Sequence, residues 1–375
     1  MSDCVLFREL ESVSDKKIGV ATLNSEKSLN ALSLDMVELL TPQLTEWQQR
    51  DDIALVLLEG AGEKAFCAGG DVVQLFNAGV SAGHGNYSAD IENFFTKEYQ
   101  LDYLIHTYNK PILLWGHGIV MGGGLGLLAG ASHRVVTEKS RIAMPEITIG
   151  LYPDVGGTYF LNQMPEGCGL FLGLTGASIN AADAKYVNLA DHFVLNERKG
   201  ELLEKLLVTT WGNTAALNHQ KLTDALIEFE TADQIQMPSG NVSQYKNFMA
   251  ELAQKPTASS AVATILDYAT EDKWFSKAKQ SLSHGSALTA HIVFQQLQVG
   301  KELSLAECFQ LELGLSCNCS AIGEFTEGVR ALLIEKDNQP KWIYETVHDV
   351  QQEMVDRMFA QPWTEEAHPL RELGR

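Results

Sequence analysis

The segment ILLWGHGIVMGGGLGLLA, residues 112–129, decides how this chain is interpreted. It opens with the apolar run Ile112–Trp115, which is typical of a buried strand. It closes with a second apolar run, Leu125–Ala129, which has the character of a helix. Three consecutive glycines, residues 122–124, precede that second run. The segment therefore predicts a strand, a glycine turn and a helix in close succession.

A glycine turn of this kind can approach a ligand closely, because no Cβ stands in the way. The first N–H groups of the following helix have no intrahelical partner and lie at the positive end of its dipole. The segment Ala68-Gly69-Gly70-Asp71 has the same character, with Asp71 suited to capping a helix. N–H groups from two such turns could bind one carbonyl oxygen as an oxyanion hole. Each motif alone is equally compatible with a turn that only permits close packing.

Two carboxyl groups follow the glycines, Glu146 in Met144-Pro145-Glu146 and Asp154 in Tyr152-Pro153-Asp154. Their surroundings are apolar, and the glycines and prolines between and after them predict a loop rather than one helix face. Burial in such surroundings is expected to raise the pKa of a carboxyl group, which can then act as a base, an acid or a nucleophile. The alternative is that Asp154 caps a turn and Glu146 faces solvent.

Glu98 lies on an apolar stripe of a predicted helix. The stripe consists of Phe94, Leu101, Ile105 and Tyr108. A charged group on such a face requires a partner or a functional role, because burial without either is costly. The alternative, in which Glu98 lies at the edge of the stripe and reaches water, stays open. His117, which follows a predicted strand, is expected to be a packed histidine rather than a catalytic one.

Predicted strands and helices alternate over about the first 190 residues, which favours an α/β fold. The predicted strands are Val5–Leu10 and Ile18–Leu23 (a hairpin), Ile53–Leu58, Ile112–Trp115 and Arg134–Thr137. A helix is predicted over Ser33–Gln49 with Ser33 as its N-cap. Residues 81–88, 238–242 and 283–286 are predicted loops. The pattern becomes helical from Asn196, so we expect a core domain at 1–200 and a helical region at 201–375.

The net charge of −20 argues against binding to nucleic acid or to an anionic membrane. An anionic ligand would require a local cation or a helix N-terminus. The six cysteines form no compact disulfide framework, and the spacing of Cys317-Asn318-Cys319 is poor for zinc, which favours buried thiols. The first residues, Met1–Cys4, have neither a signal peptide nor a transit pattern, so we expect a cytoplasmic location.

A dinucleotide site is one alternative, because Gly124-x-Gly126-x-x-Ala129 matches the fingerprint and Glu146 follows twenty residues after Gly126. Three observations count against a nicotinamide oxidoreductase. The fingerprint leaves Gly122 and Gly123 unexplained. Residues 117–121 separate the glycines from the predicted strand. The proline before Glu146 fits a loop better than a strand end.

Three segments resemble the enoyl-CoA hydratase/isomerase (crotonase) superfamily. They are KAFCAGGD (64–71), HGIVMGGG (117–124) and MPE (144–146). Further segments resemble a hydrolase branch of this superfamily: FFTKEY (94–99), LYPDVGG (151–157) and EGVRALLIEKD (327–337), followed by Pro340-Lys341-Trp342. The resemblance extends from about residue 5 to about residue 345. It implies an α/β fold, a crotonase-like spiral of β-β-α turns with a helical C-terminal region.

The resemblance also implies the site residues. Gly70 and Gly123 would donate their N–H groups to a thioester oxygen. The acyl site would be formed by Glu98, Gly123, Glu146 and Asp154. The coenzyme A moiety would run along Asn24–Leu32, with contacts from Lys27, Ala31, Leu32 and Ala68. Coenzyme A would be part of the substrate, with no metal or redox cofactor, and the family's habit of assembling makes a homo-oligomer an expectation.

One departure from the family pattern bears on the reaction. Hydratases of the superfamily carry a second glutamate two residues after the glycine triplet, and here that position is Gly126. This departure favours hydrolysis over hydration. The resemblance to the hydrolase branch implies a short 3-hydroxyacyl-CoA thioester, with 3-hydroxyisobutyryl-CoA of valine degradation as the expected substrate. Glu146 would act as nucleophile or general base, and the resemblance leaves both open. The alternatives are an enoyl-CoA hydratase or isomerase, and an acyl-CoA-binding protein without turnover.

Overall fold

The architecture combines two β-sheets with many helices. A computed structural model describes residues 3–83 and 85–375 of the chain. Within these ranges the strands form a six-stranded sheet in the order β1-β2-β3-β5-β7-β9 and a three-stranded sheet in the order β4-β6-β8. The strands are β1 (Val5–Glu11), β2 (Lys17–Leu23), β3 (Ile53–Gly60), β4 (Ala65–Cys67), β5 (Ile112–Gly116), β6 (Ile119–Met121), β7 (His133–Val136), β8 (Arg141–Ala143) and β9 (His192–Phe193).

The helices dominate the second half of the chain. Those up to β9 are α1 (Leu34–Gln49), α2 (Val72–Ala82), α3 (Ala89–His106), α4 (Gly123–Gly130), α5 (Gly157–Phe160), α6 (Cys168–Thr175) and α7 (Ala181–Tyr186). Those that follow are α8 (Lys199–Leu207), α9 (Ala215–Asp233), α10 (Lys246–Leu252), α11 (Ala258–Asp267), α12 (Lys273–His284), α13 (Ala287–Val299), α14 (Leu305–Ile322), α15 (Glu324–Val329) and α16 (Gln352–Phe359).

From β3 onward, successive strands alternate between the two sheets. β3, β5 and β7 pair in parallel in the large sheet, while β4, β6 and β8, which follow them in the chain, form the small sheet. Helices connect these strand pairs, α2 and α3 after β4 and α4 after β6. This alternation is the β-β-α repeat that the sequence resemblance implies, and it confirms the predicted α/β class.

The large sheet supplies an apolar core because its central strand is buried on both faces. All eight residues of β3 are buried. Side chains of β2, β3, β5 and β7 form one cluster with side chains of α8 and α9. Continuous apolar runs of this kind are typical of parallel strands that are covered on both sides.

The predicted secondary structure agrees well with these elements. β1 and β2 form the predicted antiparallel hairpin, and the Ser33 hydroxyl accepts a hydrogen bond from the Met36 N–H as the N-cap of α1. β7 begins and ends one residue earlier than predicted. The predicted loop at 81–88 starts two residues late, because α2 continues to Ala82, and His84 lies outside the described residues. At 283–286 only Gly285 and Ser286 separate α12 from α13.

Contacts divide the described chain into two compact units, each built from separate segments. The first consists of the described part of Met1–Gly70, with Leu101–Ile142 and Ile179–Gly240. The second consists of the described part of Asp71–Gln100, with Ala143–Ser178 and Asn241–Arg375. The predicted change near residue 200 coincides with the last strand, β9, whereas a domain boundary at that point stays a prediction.

No cysteine within residues 3–83 and 85–375 forms a disulfide bond. Cys317 and Cys319 are buried on α14, which confirms the interpretation drawn from their spacing. Across residues 3–83 and 85–375, no group of three or more His, Cys, Asp or Glu side chains is arranged to hold a metal ion. No helix in the same ranges has the length and apolar character that crossing a bilayer requires.

Replacing a core leucine of β3 tests the role assigned to the sheet. Leu55 is fully buried in the cluster with α8 and α9, so Leu55→Ala is expected to lower the free energy of unfolding by about 2–5 kcal/mol. Leu6 on β1 is 42% exposed, and Leu6→Ala is expected to change it by less than about 0.5 kcal/mol. Chemical denaturation of both variants measures the difference. Equal losses would contradict a core centred on β3.

Candidate active site

The two predicted glycine turns lie side by side in the first unit. β4 and β6 pair in parallel, with Cys67 opposite Val120, so the turns that follow them emerge at the same sheet edge. Contact is close, because a Cβ on Gly124 would lie 2.4 Å from the carbonyl oxygen of Cys67. Gly69 and Gly122 have φ values of +117° and +48°, which favour glycine. The structure thus brings the two motifs together.

Each turn presents a main-chain N–H group. The N–H of Leu32 donates to the carbonyl oxygen of Gly69 at 2.7 Å, and this pairing leaves the N–H of Gly70 without a main-chain acceptor in the described part of the chain. Gly123 is the first residue of α4, so its N–H has no intrahelical acceptor. These are the two donors that the sequence resemblance implies. Their binding to one thioester oxygen stays a prediction.

The predicted coenzyme A segment runs beside the first glycine turn. The N–H of Ala68 donates to the carbonyl oxygen of Leu29 at 3.1 Å, and Leu32 pairs with the Gly69–Gly70 stretch. Ala31 lies next to this pairing in the chain and is half-buried. Lys27, on the short 3₁₀ helix Glu26–Ser28, is exposed. The segment and the turn therefore lie side by side, with Leu32 fully buried between them and the rest of the chain.

The carboxyl groups occupy the second unit. Glu146 begins the 3₁₀ helix Glu146–Ile149 and is only 4% exposed. Its Oε2 atom is buried and has no hydrogen-bond partner among the described residues. Burial, and then the neighbouring charge of Asp154, raise the pKa of Glu146 well above its usual range. The alternative in which Glu146 faces solvent is wrong.

Asp154 is equally buried and has an aromatic hydroxyl as neighbour. Its Oδ2 atom lies 2.7 Å from the hydroxyl of Tyr99. Burial raises the pKa of Asp154 to about 6, and donation of the Tyr99 hydroxyl hydrogen to Asp154 would act in the opposite direction. The turn at this position is closed by main-chain atoms, since the N–H of Gly157 donates to the carbonyl oxygen of Asp154. The Asp154 carboxyl is therefore directed toward Tyr99, and turn capping does not account for it.

Glu98 belongs to the same group of acids. It lies on α3 next to Tyr99 and is 2% exposed, so the alternative in which it reaches water is wrong. Burial, and then the charge of Asp154, raise the pKa of Glu98 well above its usual range. Three buried acids thus influence one another, and this arrangement favours different protonation states for neighbouring carboxyls.

A chain of hydroxyl groups extends from Asp154, and the sequence analysis did not anticipate it. The Tyr99 hydroxyl lies 2.7 Å from the Ser316 hydroxyl, which lies 2.9 Å from the Tyr152 hydroxyl. The Tyr152 hydroxyl donates to the carbonyl oxygen of Glu312 at 2.6 Å. Both tyrosines stand in the quoted motifs beside Glu98 and Asp154. Ser316 and Glu312 lie on α14, and no local pattern connects them with the acids.

Glu312 fixes the turn that carries Asp154. Its two carboxylate oxygens accept hydrogen bonds from the N–H groups of Gly156 and Thr158, each at 2.8 Å. The turn contains positive φ values, +50° at Val155 and +88° at Gly156. Burial raises the pKa of Glu312 to about 8, although these hydrogen bonds favour its ionised form. The glutamate therefore compensates for main-chain donors that the strained turn leaves without partners.

The helical turn that carries Glu146 packs closely against the main chain at Glu324 and Ser286. Gly150 has a φ of +66°, and a Cβ there would lie 2.3 Å from the carbonyl oxygen of Glu324. The N–H of Ser286 donates to the carbonyl oxygen of Ile147 at 3.0 Å. The position of the Glu146 carboxyl thus depends on a close approach that only glycine allows.

His117 and Asp71 have the structural roles that the sequence predicts. His117 is buried, and its Nε2 lies 3.0 Å from the carbonyl oxygen of Gly62, as expected for a packed histidine. Asp71 caps α2 as predicted, since its carboxylate accepts a hydrogen bond from the Gln74 N–H. The glycine turns lie in the first unit and the three acids in the second.

Comparison with known proteins identifies relatives along most of the chain. The profile of the family Enoyl-CoA hydratase/isomerase matches residues 18–359. A protein of Danio rerio named 3-hydroxyisobutyryl-CoA hydrolase, mitochondrial, is 38% identical over 346 residues, 92% of this chain and 87% of its own length. The Homo sapiens protein of the same name is 34% identical over 342 residues, 91% and 86% of the two chains.

Solved structures agree with the fold and carry different names. A carnitinyl-CoA dehydratase from Mycobacterium thermoresistibile is 30% identical, with a TM-score of 0.85 and full coverage, 100% of both chains. An enoyl-CoA hydratase from Rhodobacter sphaeroides 2.4.1 is also 30% identical, with a TM-score of 0.80 over 96% of this chain and 98% of its own. These matches confirm the crotonase-like fold.

Contrary to the sequence prediction, a strand lies directly before the three glycines. Residues 119–121 form β6, which ends directly before Gly122. The glycines therefore do follow a strand, as the fingerprint requires. A strand of three residues between glycines is too short to show a hydrophobic period in the sequence. The family match, rather than the spacing, decides against the nicotinamide interpretation.

Gly150→Ala is expected to displace the turn that carries Glu146. An alanine there would adopt a left-handed conformation and contact the Glu324 carbonyl oxygen, so the free energy of unfolding should fall by about 1–3 kcal/mol. Gly200 on α8 has open space around its Cβ position, and Gly200→Ala should leave stability unchanged or raise it by up to about 1 kcal/mol. Denaturant titration compares them. Equal stability of the two variants would argue against the close approach.

The raised pKa of Glu312 predicts a pH dependence of stability. Between the ordinary pKa of 4.5 and about 8, the folded state holds a proton that the unfolded state has lost. Stability therefore falls as pH rises through this window, by roughly 1.4 kcal/mol per pH unit from this group. Glu312→Gln removes the contribution, so its unfolding free energy should depend less on pH between 5 and 8. Parallel curves for the two proteins would contradict the assignment.

Proposed function

Because this chain belongs to the enoyl-CoA hydratase/isomerase family, we propose that it hydrolyses the thioester of a short 3-hydroxyacyl-CoA. The expected substrate is 3-hydroxyisobutyryl-CoA, an intermediate of valine degradation, and the products are 3-hydroxyisobutyrate and coenzyme A. The names of the relatives support this substrate. The observation that carries the proposal is the buried carboxyl of Glu146, which has an unpartnered oxygen and Asp154 as neighbour.

The ionised form of such a carboxyl is reactive, because burial has removed the water that would otherwise stabilise it. In one route Glu146 attacks the thioester carbonyl, the C–S bond breaks, and a mixed anhydride forms. Asp154 gives its proton to the departing thiolate and later takes one from the water that cleaves the anhydride. In the other route Glu146 removes a proton from water, the resulting hydroxide attacks the thioester carbonyl, the C–S bond breaks, and Asp154 protonates the departing thiolate while the proton held by Glu146 returns to Asp154. Both routes yield one carboxylic acid and one thiol.

The main-chain donors are assigned to the carbonyl oxygen. We propose that the N–H groups of Gly70 and Gly123 bind this oxygen and stabilise the negative charge that develops on it, as the family resemblance implies. Each N–H lies in a turn that follows a strand of the small sheet, and neither is used by a neighbouring main-chain acceptor in the described chain. Such fixed dipoles require no rearrangement as the charge develops.

The remaining predicted residues concern recognition. Glu98 is proposed to orient the acyl end of the substrate, and Ala31, Leu32 and Ala68 to contact the coenzyme A moiety. Lys27 is proposed to meet a phosphate, since its exposed ammonium lies on the same segment in a chain of net charge −20. Coenzyme A is part of the substrate, and the proposed reaction uses no metal or redox cofactor.

Hydration of an enoyl-CoA is the second candidate. The two solved structures described above are named as a hydratase and a dehydratase, and they are as long as this chain. The position of the second hydratase glutamate is occupied by Gly126, a buried residue of α4. Without that carboxyl the pair that holds and deprotonates water in hydratases is incomplete. This difference favours hydrolysis.

Cellular location and assembly are separate questions. The curated relatives are named as mitochondrial proteins, so the cytoplasmic location expected from the sequence stays a prediction. The same holds for a homo-oligomer, which the resemblance implies.

Thiol release from a panel of acyl-CoA thioesters tests the proposal. Wild type is expected to release coenzyme A fastest from 3-hydroxyisobutyryl-CoA and to add no water to crotonyl-CoA. Glu146→Gln and Asp154→Asn should each lower kcat by about 10²–10⁴-fold, because each removes a group that transfers a proton or attacks the carbonyl. A thiol-reactive dye follows the release continuously.

The control is Glu302→Gln, which removes an exposed carboxyl and should retain the wild-type rate. Full hydrolytic rates in Glu146→Gln and Asp154→Asn would contradict the assigned roles. Binding of acyl-CoA without release of thiol would indicate a binding protein, and hydration of crotonyl-CoA would favour the second candidate. Addition of hydroxylamine during turnover distinguishes the two routes, since it traps a mixed anhydride on Glu146.

A further inference from the structure

Three hydroxyl groups connect Asp154 with a main-chain carbonyl. In order, the contacts are Asp154 Oδ2 to Tyr99 Oη at 2.7 Å, Tyr99 Oη to Ser316 Oγ at 2.7 Å, Ser316 Oγ to Tyr152 Oη at 2.9 Å, and Tyr152 Oη to the Glu312 carbonyl oxygen at 2.6 Å. All four side chains are buried. The chain has four hydrogen-bond contacts and three hydroxyl hydrogens.

The direction of each hydrogen bond in the chain follows from the carbonyl group of Glu312 at its far end. A carbonyl oxygen can only accept, so the Tyr152 hydrogen points to Glu312. Tyr152 Oη must then accept from Ser316, and Ser316 Oγ must accept from Tyr99. In this order, every hydroxyl hydrogen of the chain points away from Asp154. With the hydrogens arranged in this way, Tyr99 and Asp154 can form a hydrogen bond only if Asp154 is protonated and donates its hydrogen to Tyr99.

An ionised Asp154 leaves the chain incomplete. Tyr99 would then donate to Asp154, and the single hydrogen of Ser316 could serve either Tyr99 or Tyr152. One contact between two oxygens at 2.9 Å or less would contain no hydrogen. Two buried oxygens held this close with no hydrogen between them repel each other, because each directs a lone pair at the other. The geometry therefore favours the state with one additional proton.

We propose that Ser316 and Tyr152 hold a proton on Oδ2 of Asp154, because their contacts turn the hydroxyl hydrogen of Tyr99 away from this oxygen. Asp154 then starts the reaction as a proton donor, and Glu146 is the group left to act as base or nucleophile. The statement about the proton rests on geometry alone, whereas the statement about the reaction rests on the proposed function. The three hydroxyl residues are positioning residues, because they act through Asp154.

Several other titratable groups surround Asp154. The titratable groups that interact with it are the acids Glu98, Glu146 and Glu312, the two tyrosines of the chain, and Cys319. A charge on Asp154 would face other acids in a buried environment. A proton on Asp154 removes one of those charges and so favours the ionised form of Glu146.

Infrared difference spectroscopy across a pH titration can measure the proton directly. The band of a protonated carboxyl that disappears in Asp154→Asn belongs to Asp154, and its pH midpoint gives the pKa without any turnover. In Tyr152→Phe the Ser316 hydrogen becomes free for Tyr99, so an ionised Asp154 no longer disrupts the chain and the midpoint should fall. Ser316→Ala should act in the same direction, because Tyr99 can then donate to Asp154 freely.

Tyr99→Phe should have the opposite effect. It removes the donor that an ionised Asp154 would use, and hydrogen bonds to charged groups are the stronger ones, so the midpoint should rise. Shifts of about 0.5–1 pH unit are expected, as one hydrogen bond implies. The falling limb of kcat/KM against pH should move with the midpoint, to lower pH in Tyr152→Phe and Ser316→Ala.

Ser320→Ala is the matched control. Ser320 lies one helical turn after Ser316 on α14 and is buried, and its hydroxyl has no partner among the described residues. The pH midpoint of the Asp154 band in Ser320→Ala should equal that of wild type. An unchanged or raised midpoint in both Tyr152→Phe and Ser316→Ala would overturn the proposal, as would an equal shift in Ser320→Ala. If the pH midpoints shift as expected but the wild-type protein releases no thiol from acyl-CoA, only the proposed function is contradicted.

Discussion

The contact between Glu312 and the main chain of residues 156–158 organises the carboxyl cluster. A buried carboxylate on α14 accepts both N–H groups of a turn that contains two positive φ values. A turn of this shape leaves donors that its own carbonyl groups cannot satisfy. The partner that satisfies them also positions Asp154, and its main-chain carbonyl anchors the hydroxyl chain through Tyr152. The geometry of the acid thus depends on a helix far away in the sequence.

Differences in hydrogen bonding explain how several acids with like charges can lie in one buried region. Glu98, Glu146 and Asp154 lie within one unit. The charge of Asp154 raises the pKa of both glutamates, and the charge of Glu98 also raises the pKa of Glu146. Like charges in a low dielectric do not all ionise, so the surroundings must decide which carboxyl carries a proton. Glu146 has an oxygen with no partner in the described chain, while Asp154 faces a chain of hydroxyl groups. This difference in hydrogen bonding separates two acids of similar burial.

Much of the fold and part of the site follow from local patterns. The hairpin, the capped helix α1 and the buried strand β3 appear where apolar period and capping residues predict them. Glu146 and Asp154 are buried because their neighbours in the chain are apolar. The pairing of β4 with β6 did not follow from the sequence, because strands of three residues show no period. The alternatives for Glu98 could be decided only by seeing what covers α3.

The sequence by itself determined the α/β class, the glycine turns and the identity of the acids. These depend on residue type and on spacing within a few turns of chain. Only the tertiary structure decided that Ser316 and Glu312 complete the surroundings of Asp154, since Gly156 and Glu312 are 156 residues apart. Hydrogen bonds between such distant residues depend on how α14 packs, and packing arises from the summed burial of many side chains. No single segment of the chain carries that information.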